Sequence, residues 1–336
     1  MPKTIVMGNP AYFSVRGAAN PHTRTALGLK KRVDPELARR QWRSMVRGLL
    51  SHGCEVLVID PQPELTGLVY TANAGFMYPP ELAPSQPDRS NRARLFYLAN
   101  LLPTRAGERP VYQRFLRSLG LETRDLEARF EGEADFFPAG GYMIFTYGRI
   151  ERQRFVPRLG IPPWKRIYGF RSEASALTEL ERIASDRPIL ALELCLEAYY
   201  HGDTLLCSFG PERKFLMAYM EGLTAESRAR LLRAFGGDLV ELSAGDAALY
   251  GANSFQADFE GRFYLFMPEG VSQRLIEAVR ERGVEPITTD VSEFLAKGGG
   301  SVKCMILDLG PTAGLPNDSA AAAFRSERNY LKLFGN

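Results

Sequence analysis

The chain has 336 residues, 45% of them hydrophobic and 24% charged, so it can bury a sizeable core and is not intrinsically disordered. Its net charge of +3 comes without a long basic run, which gives little reason to expect a nucleic acid partner. No apolar stretch approaches the length of a membrane span, and no hydrophobic signal core follows the first residues. We therefore expect a soluble, cytoplasmic protein with no membrane partner.

The cysteines favour reduced thiols rather than a metal site. The four cysteines show neither a Cys-x-x-Cys pair nor the spacing of zinc ligands, and the chain has only three histidines. We therefore expect no structural metal. Three of the cysteines, Cys54, Cys195 and Cys207, lie within apolar runs and are expected in the core.

The fourth cysteine, Cys304, follows a glycine-rich stretch at residues 297–303. Glycines allow a backbone turn that a Cβ would strain, and the alternation of apolar and polar residues after Cys304 predicts a strand. Lys303 and the glycine amides would stabilise a thiolate at this point. Taken alone, however, the stretch fits a buried structural cysteine after a glycine hinge better than a reactive one.

Five weakly similar units follow one another along the chain. Each unit consists of a helix, a glycine that ends it, a strand, a small or polar junction and a second strand. The helices are predicted at residues 34–50, 110–119, 173–184, 225–235 and 272–282. The strands after them are predicted at 54–60, 122–126, 189–196, 238–242 and 285–289. Such a repeat favours a closed, pseudo-symmetric array, with an ordinary doubly wound α/β sheet as the alternative.

The junctions of these units carry the side chains that are capable of chemistry. In chain order they are Asn73, Glu131 with Asp135, His201 with Asp203, Asn253, and Cys304. Equivalent junctions of a ring would converge on a central pocket, and cysteine, histidine and carboxylate together supply a nucleophile, an acid/base and an orienting group. Each residue taken alone fits an ordinary turn or surface position better. Their recurrence at one structural position favours a common site.

Four of these segments resemble, in order, the signatures of the guanidine-modifying superfamily. They read TANAG at 71–75, FEGEAD at 130–135, YHGDT at 200–204 and GGSVKC at 299–304. The superfamily includes arginine deiminases, dimethylarginine dimethylaminohydrolases and amidinotransferases. The resemblance extends from about residue 9 to residue 311. It implies the pentein fold, a five-bladed α/β propeller with pseudo-fivefold symmetry, as a single catalytic domain over residues 1–336 with a tail from about residue 313.

Within the superfamily the chain is most similar to the arginine dihydrolase branch of cyanobacterial bifunctional enzymes. This likeness rests on Asn20-Pro21, on residues 71–75, on Arg105 before Gly107-Glu108, and on residues 168–173. The sequence departs from that branch at two positions. Gly202 follows His201 where the branch usually has leucine, and His22 stands where it has a tryptophan.

The resemblance implies a role for each candidate residue. Cys304 would be the nucleophile, His201 the acid/base and Glu131 a carboxylate that binds the guanidinium group. The positions that would hold the substrate are Asn20, Asn73, Arg105, Asp135, Arg171, Asp203 and Asn253. The reaction would proceed through a covalent thiouronium intermediate, with His201 protonating the departing amine and then activating water or an acceptor amine. It requires no cofactor and no metal.

Three functions stay open at this point. The first is hydrolysis of arginine or a close analogue, the second is transfer of the amidino group to an amine, and the third is binding by a non-catalytic pentein-fold protein. The presence of Cys304, His201 and Glu131 together argues against the third, whereas pocket shape and water access separate the first two. In each case the partner is a small guanidino compound, and a homo-oligomer stays open.

Asn73 bears on whether hydrolysis happens once or twice. Deiminase relatives usually carry a carboxylate at this junction, which accepts N–H groups from a cationic guanidinium. After one hydrolysis the product is a neutral ureido group, whose oxygen a carboxylate would repel and an amide can meet with a donor. Asn73 therefore predicts two successive hydrolyses, from arginine through citrulline to ornithine.

Overall fold

The structure is a computed structural model that describes residues 2–16, 20–25, 27–80, 94–151, 154–158 and 161–335. Within these residues the chain forms a mixed α/β fold of 17 strands and nine α-helices, with short 3-10 turns between them. The strands, in chain order, are β1 (Lys3–Gly8), β2 (Cys54–Ile59), β3 (Gly75–Tyr78), β4 (Leu95–Leu98), β5 (Thr123–Asp125), β6 (Phe136–Ala139), β7 (Tyr142–Tyr147), β8 (Arg154–Arg158), β9 (Ile161–Ile167), β10 (Ile189–Glu193), β11 (Leu206–Phe209), β12 (Phe215–Ala218), β13 (Leu239–Glu241), β14 (Phe255–Phe259), β15 (Arg262–Pro268), β16 (Val284–Thr289) and β17 (Leu307–Pro311).

Most of the described helices begin at a polar N-cap residue whose side chain accepts backbone N–H groups. The side chain of Asp34 accepts the backbone N–H groups of Glu36 and Leu37 at 3.0 and 3.1 Å, so the first predicted helix begins as expected. Ser272 and Thr224 cap two later helices in the same way. The helices are α1 (Pro35–Ser51), α2 (Arg109–Ser118), α3 (Ala176–Ile183), α4 (Ala225–Phe235), α5 (Ala244–Ala248), α6 (Gln273–Arg280), α7 (Ser292–Gly298), α8 (Ser319–Arg328) and α9 (Tyr330–Phe334).

Five three-stranded sheets share one pairing pattern. In each, the central strand pairs antiparallel with one neighbour and parallel with the other. The strand orders are β17-β1-β2, β3-β4-β5, β6-β7-β10, β11-β12-β13 and β14-β15-β16, and β8 with β9 forms a separate two-stranded sheet. The first of these sheets joins the two ends of the fold, because Val6 lies opposite Leu307 across the β1–β17 pair.

The hydrophobic core lies between the sheets and the helices that cover them. Trp42, Met45 and Leu49 on one face of α1 pack with Val56 and Val58 of β2, all of them buried. The predicted outer tail is present as α8 and α9, which contact α2 and β2. None of the described helices is both long and apolar enough to pass through a bilayer.

The structure differs from the predictions made from the sequence at three junctions and at one cysteine. The sequence pattern predicts strands over residues 69–77 and 201–207 and from Cys304 onward. Thr71–Ala74, Gly202–Thr204 and Lys303–Met305 are instead 3-10 turns, and the strands begin after them. Polar side chains of these turns bond backbone carbonyls, locally in the case of Thr204 with His201 and at a distance in the case of Thr71 with Val6 and Met305. Cys195, expected in the core, is exposed, and its Sγ donates to the carbonyl of Glu221.

Candidate active site

Most of the predicted site residues line one cavity of about 170 Å³. Those that line it are Asn20, Asn73, Arg105, Glu131, Arg171, His201 and Cys304. The other three, Asp135, Asp203 and Asn253, are buried and contact these residues instead. The chain therefore brings junctions that are far apart in sequence to one place, as the repeat predicted.

Cys304 is held at its turn by a reciprocal pair of hydrogen bonds. Its backbone N–H donates to Oδ1 of Asn253 at 3.0 Å, and Nδ2 of Asn253 donates to Sγ at 3.1 Å. The Sγ lies 3.5 Å from Oδ2 of Asp203. Burial, and then the negative charge of Asp203, raise the pKa of the Cys304 thiol well above its usual range. The free site therefore holds a neutral thiol.

Lys303 does not stabilise the sulfur directly, although its place in the sequence suggested that it would. Its Nζ donates to Oε2 of Glu133 at 2.5 Å and to the carbonyl of Ile306 at 2.9 Å. Its charge is therefore matched by Glu133, two residues from Glu131. This buried ion pair joins the turn of the cysteine to the turn of the glutamate.

The glycines before Cys304 are required by close packing. A Cβ on Gly298 would lie 1.8 Å from Oη of Tyr70, and one on Gly300 would lie 2.4 Å from the ring of Tyr70. Gly299 has a φ of +75°, which favours glycine. The hydroxyl of Tyr200 donates to the Gly299 carbonyl at 2.6 Å, and Nδ2 of Asn20 donates to the Gly298 carbonyl at 2.8 Å. The loop is thus fixed from both sides.

His201 and Glu131 form the second half of the site. Nε2 of His201 lies 2.8 Å from Oε2 of Glu131, and both side chains are buried. Burial alone would raise the pKa of Glu131, but the hydrogen bond and charge of His201, together with Arg105 and Arg171, lower it to about 2. Glu131 therefore stays ionised, and its carboxylate orients the imidazole of His201.

Asp135 supports His201 from behind rather than lining the cavity. Its two oxygens accept from the hydroxyls of Thr146 and Ser172, both at 2.6 Å, and from the backbone N–H of Gly202 at 2.9 Å. Nε2 of His201 lies 4.0 Å away. Burial raises the pKa of Asp135 despite these donors. The carboxylate thereby anchors the turn that carries His201.

The two arginines of the cavity each form hydrogen bonds with neighbouring groups of the protein. Arg105 donates to both oxygens of Glu108 and to Oδ1 of Asn73, and it lies 4.0 Å from Glu131. Arg171 donates to the carbonyl of Gly169 at 3.0 Å, and its guanidinium lies 4.7 Å from the centre of the Tyr200 ring.

Asp203 has a buried carboxylate oxygen that lacks a hydrogen-bond donor in the described part of the chain. Burial raises its pKa to about 6. Its Oδ2 faces the sulfur of Cys304, but its Oδ1 is buried and receives no donor from any described residue. A buried acceptor without a donor is costly, so the site lacks an N–H group at this position.

The sequence interpretation missed three residues of the site: Tyr70, Tyr200 and Glu108. Tyr70 immediately precedes the segment that holds Asn73, and Tyr200 is the first residue of the segment that holds His201, so proximity to a candidate residue was the available signal. Glu108 stands three residues after Arg105, the spacing at which two side chains meet on a helical turn. All three line the cavity.

Comparisons with known proteins show which enzymes the chain is similar to. No protein-family model matches the chain. An N(G),N(G)-dimethylarginine dimethylaminohydrolase of Mycobacterium tuberculosis is 28% identical over 305 residues, which cover 91% of this chain and 85% of that protein. A bifunctional arginine dihydrolase/ornithine cyclodeaminase of Nostoc sp. is 24% identical over 306 residues, which cover 90% of this chain and 37% of that protein.

Solved structures extend the likeness to the fold. The N-terminal domain of an arginine dihydrolase from cyanobacteria, bound to substrate, aligns with a TM-score of 0.72 and 22% identity over 91% of this chain and 98% of that domain. These relatives are of the kind that the four motifs resemble. The superfamily resemblance drawn from the four motifs is therefore confirmed. The mixed α/β fold is also the one that these superfamily structures have.

Alkylation of Cys304 tests its electrostatic surroundings. Because the pKa of its thiol is raised, we expect iodoacetamide to modify Cys304 slowly near pH 7 and increasingly fast up to at least about pH 9. Asp203→Asn removes a negative charge beside the sulfur, so it should lower this pKa and speed the reaction at a fixed pH. Peptide mass spectrometry separates Cys304 from the exposed Cys195.

The matched control is Asp246→Asn. Asp246 is also a buried carboxylate, but it bonds Ser243 and Ser272 at the start of two helices. Its substitution should leave alkylation of Cys304 unchanged. A rate at Cys304 that does not vary with pH, or that is insensitive to Asp203→Asn, would contradict the assigned environment.

Proposed function

We propose that the chain hydrolyses a guanidino compound through attack by Cys304, with arginine or a close analogue as substrate. The observation that supports this most directly is the unpartnered Oδ1 of Asp203 beside the sulfur of Cys304. A planar cation with several N–H groups supplies what this carboxylate lacks, whereas an anion would leave it unpaired. Two relatives that match about nine-tenths of the chain are an arginine dihydrolase and a dimethylarginine dimethylaminohydrolase.

The substrate itself would activate the nucleophile. With the pKa of Cys304 raised, little thiolate exists near neutral pH in the free site. A guanidinium bound by Asp203 and Glu131 would bring positive charge to the sulfur and lower that pKa. The thiol then releases its proton to solvent, the thiolate attacks the guanidinium carbon, and departure of the protonated amine leaves the covalent thiouronium.

His201 would carry the protons of both steps. Since Nε2 faces Glu131, Nδ1 is the nitrogen available to the substrate. The protonated ring, stabilised by ionised Glu131, would protonate the departing amine. The neutral ring that results would then activate water, which attacks the thiouronium carbon and releases the sulfur.

The amino-acid end of the substrate would be bound by Arg171. Arg105 and Arg171 both line the cavity and both match substrate-holding positions of the superfamily. The charge of Arg105 is already matched by Glu108, with Glu131 only 4.0 Å away, so a substrate carboxylate there would meet two negative groups. We propose Arg171, whose guanidinium lies over the Tyr200 ring in the same cavity, as the group that binds the carboxylate.

We also infer that the five sheets form a closed five-bladed ring in one catalytic domain over residues 1–336. The shared strand order supports this, as does the pairing of β1 with β17. The junctions are linked in sequence by hydrogen bonds. The links are Asn73 to Glu131, Gly202 to Asp135, Asn253 to Asp203, Cys304 to Asn253, and Thr71 to Met305.

The test is to incubate the protein with arginine and, separately, with dimethylarginine, and to identify products by mass spectrometry. Glycine or lysine is added in parallel reactions. Release of ammonia or dimethylamine with a ureido product supports hydrolysis. An amidino group found on the added glycine or lysine would establish the amidinotransferase instead.

Cys304→Ser should reduce turnover by roughly a thousandfold or more without unfolding the chain, because a serine hydroxyl has almost no anionic form near neutral pH. Product formation and circular dichroism measure the two effects. Cys207→Ser, at a buried cysteine outside the cavity, is the matched control. Substantial product from the Cys304 variant would remove this residue from the mechanism.

His201→Ala should separate reactivity of the thiol from turnover. Cys304 should still be alkylated, since its contacts are with Asn253 and Asp203, while product formation should fall to background. Surviving turnover would require another acid/base. Neither His22 nor His52 lines the cavity that contains Cys304.

Asn73→Asp should confine the reaction to one hydrolysis. We expect the wild type to carry arginine through citrulline to ornithine with loss of two ammonia equivalents, and the variant to stop at citrulline. A buried mispaired acceptor costs roughly 1–3 kcal/mol, enough to eject the neutral ureido group. Citrulline as the end product of the wild type would leave a plain deiminase.

A further inference from the structure

A buried ion pair that the reaction chemistry does not use forms part of the cavity wall. Glu108 is 2% exposed, and its Oε1 and Oε2 accept from Nε and Nη2 of Arg105 at 2.9 and 2.6 Å. The hydroxyl of Tyr112 donates to the same Oε2 at 3.2 Å. A bidentate pair of this kind fixes the plane of the guanidinium group as well as neutralising its charge.

Two backbone carbonyls complete the surroundings of Arg105. Nη2 lies 3.1 Å from the oxygen of Gly67 and 3.2 Å from that of Tyr70, just before the turn that carries Asn73. Gly67 leaves room for this arrangement, because a Cβ there would lie 2.8 Å from Oε1 of Glu108 and 3.2 Å from Nε of Arg105. The guanidinium is therefore held in one orientation by Glu108 and by the chain around it.

Arg105 in turn fixes the orientation of the Asn73 side-chain amide. A guanidinium has only donors, so Nη1 can bond only to the oxygen of the amide, which it does at 2.6 Å. Nδ2 is then directed to the backbone oxygen of Glu131 at 3.3 Å. Nδ2 carries a second N–H, and no acceptor for it is found in the described part of the chain. Asn73 lines the cavity, so it is held there as a donor.

We propose that Glu108 is a positioning residue that, through Arg105, keeps the Asn73 amide turned as a donor and thereby selects a neutral ureido group for a second hydrolysis. The inference rests on the proposed function. A guanidinium has no acceptor to offer this N–H, whereas the carbonyl oxygen of a ureido group does. If Arg105 were released, it could pair with Glu131 and the amide could rotate, which would present an oxygen to the ureido oxygen.

Direct contact of Glu108 with the substrate is the competing explanation, because Glu108 also lines the cavity. Such a contact would involve the ammonium group at the amino-acid end, which arginine and citrulline share. Its loss would weaken both substrates equally. The positioning role affects only the ureido group, so the two explanations differ in their effect on the ratio of the two substrates.

The experiment measures kcat/KM for arginine and for citrulline separately, by ammonia release, in the wild type and in Glu108→Gln. We expect the value for citrulline to fall roughly tenfold more than the value for arginine, the loss that corresponds to about one hydrogen bond. Tyr112→Phe removes one donor to Glu108 but leaves the pair with Arg105, so the ratio should change less than about twofold. Thermal unfolding verifies that each variant is folded.

A second variant keeps the test valid if Glu108→Gln does not fold. Gly67→Ala alters no charge, but its Cβ would push into the contact between Glu108 and Arg105. It should lower the citrulline-to-arginine ratio in the same direction. A ratio unchanged in both folded variants, or an equal loss for both substrates, overturns the positioning role.

The outcomes of this experiment distinguish a failure of the inference from a failure of the proposed function. A wild type that converts no guanidino compound refutes the proposed function itself. A wild type that hydrolyses arginine but not citrulline leaves a guanidine hydrolase and overturns only the inference. A wild type that uses both substrates, with a ratio that falls in Glu108→Gln and in Gly67→Ala, supports both.

Discussion

The site depends on keeping three buried carboxylates ionisable. Burying a carboxylate is costly unless a charge or several donors compensate, and the chain solves this differently each time. Glu131 faces His201 and two arginines, which hold its pKa at about 2. Asp135 is surrounded by neutral donors instead. Asp203 is left with an unmet oxygen and a pKa raised to about 6. A cation with N–H groups would supply both the charge and the hydrogen bonds that Asp203 lacks among the described residues.

The same constraint explains why the nucleophile rests as a thiol. A thiolate beside Asp203 would place two negative charges about 3.5 Å apart in a poorly screened environment. Under the proposed reaction, the sulfur therefore becomes more reactive near neutral pH when positive charge enters. Water and neutral molecules do not bring that charge, so the arrangement couples reactivity to occupancy. The reciprocal bonds between Asn253 and Cys304 keep the sulfur in place without charging it.

The repeat and the site residues capable of chemistry could be predicted from the sequence alone. Helix α4 occupies its predicted bounds, and Cys304, His201 and Glu131 line one cavity, because helix periodicity and junction residues are local signals. The partners of those residues were not predictable in this way. Asp135 matches a substrate position but supports His201, and Lys303 pairs with Glu133 rather than with the sulfur. Such pairings depend on how distant turns meet, which a linear pattern does not contain.

The two departures from the arginine dihydrolase branch are accounted for by their neighbours. A Cβ at position 202 would lie 2.2 Å from Oγ1 of Thr146, whose hydroxyl donates to Asp135, so glycine follows from that threonine. Nε2 of His22 lies 2.8 Å from the hydroxyl of Tyr250, and burial lowers the pKa of His22. Gly202 and His22 are both absent from the residues that line the described cavity. The departures therefore alter the support of the site, while Cys304, His201 and Glu131, which the resemblance matches to that branch, line the cavity.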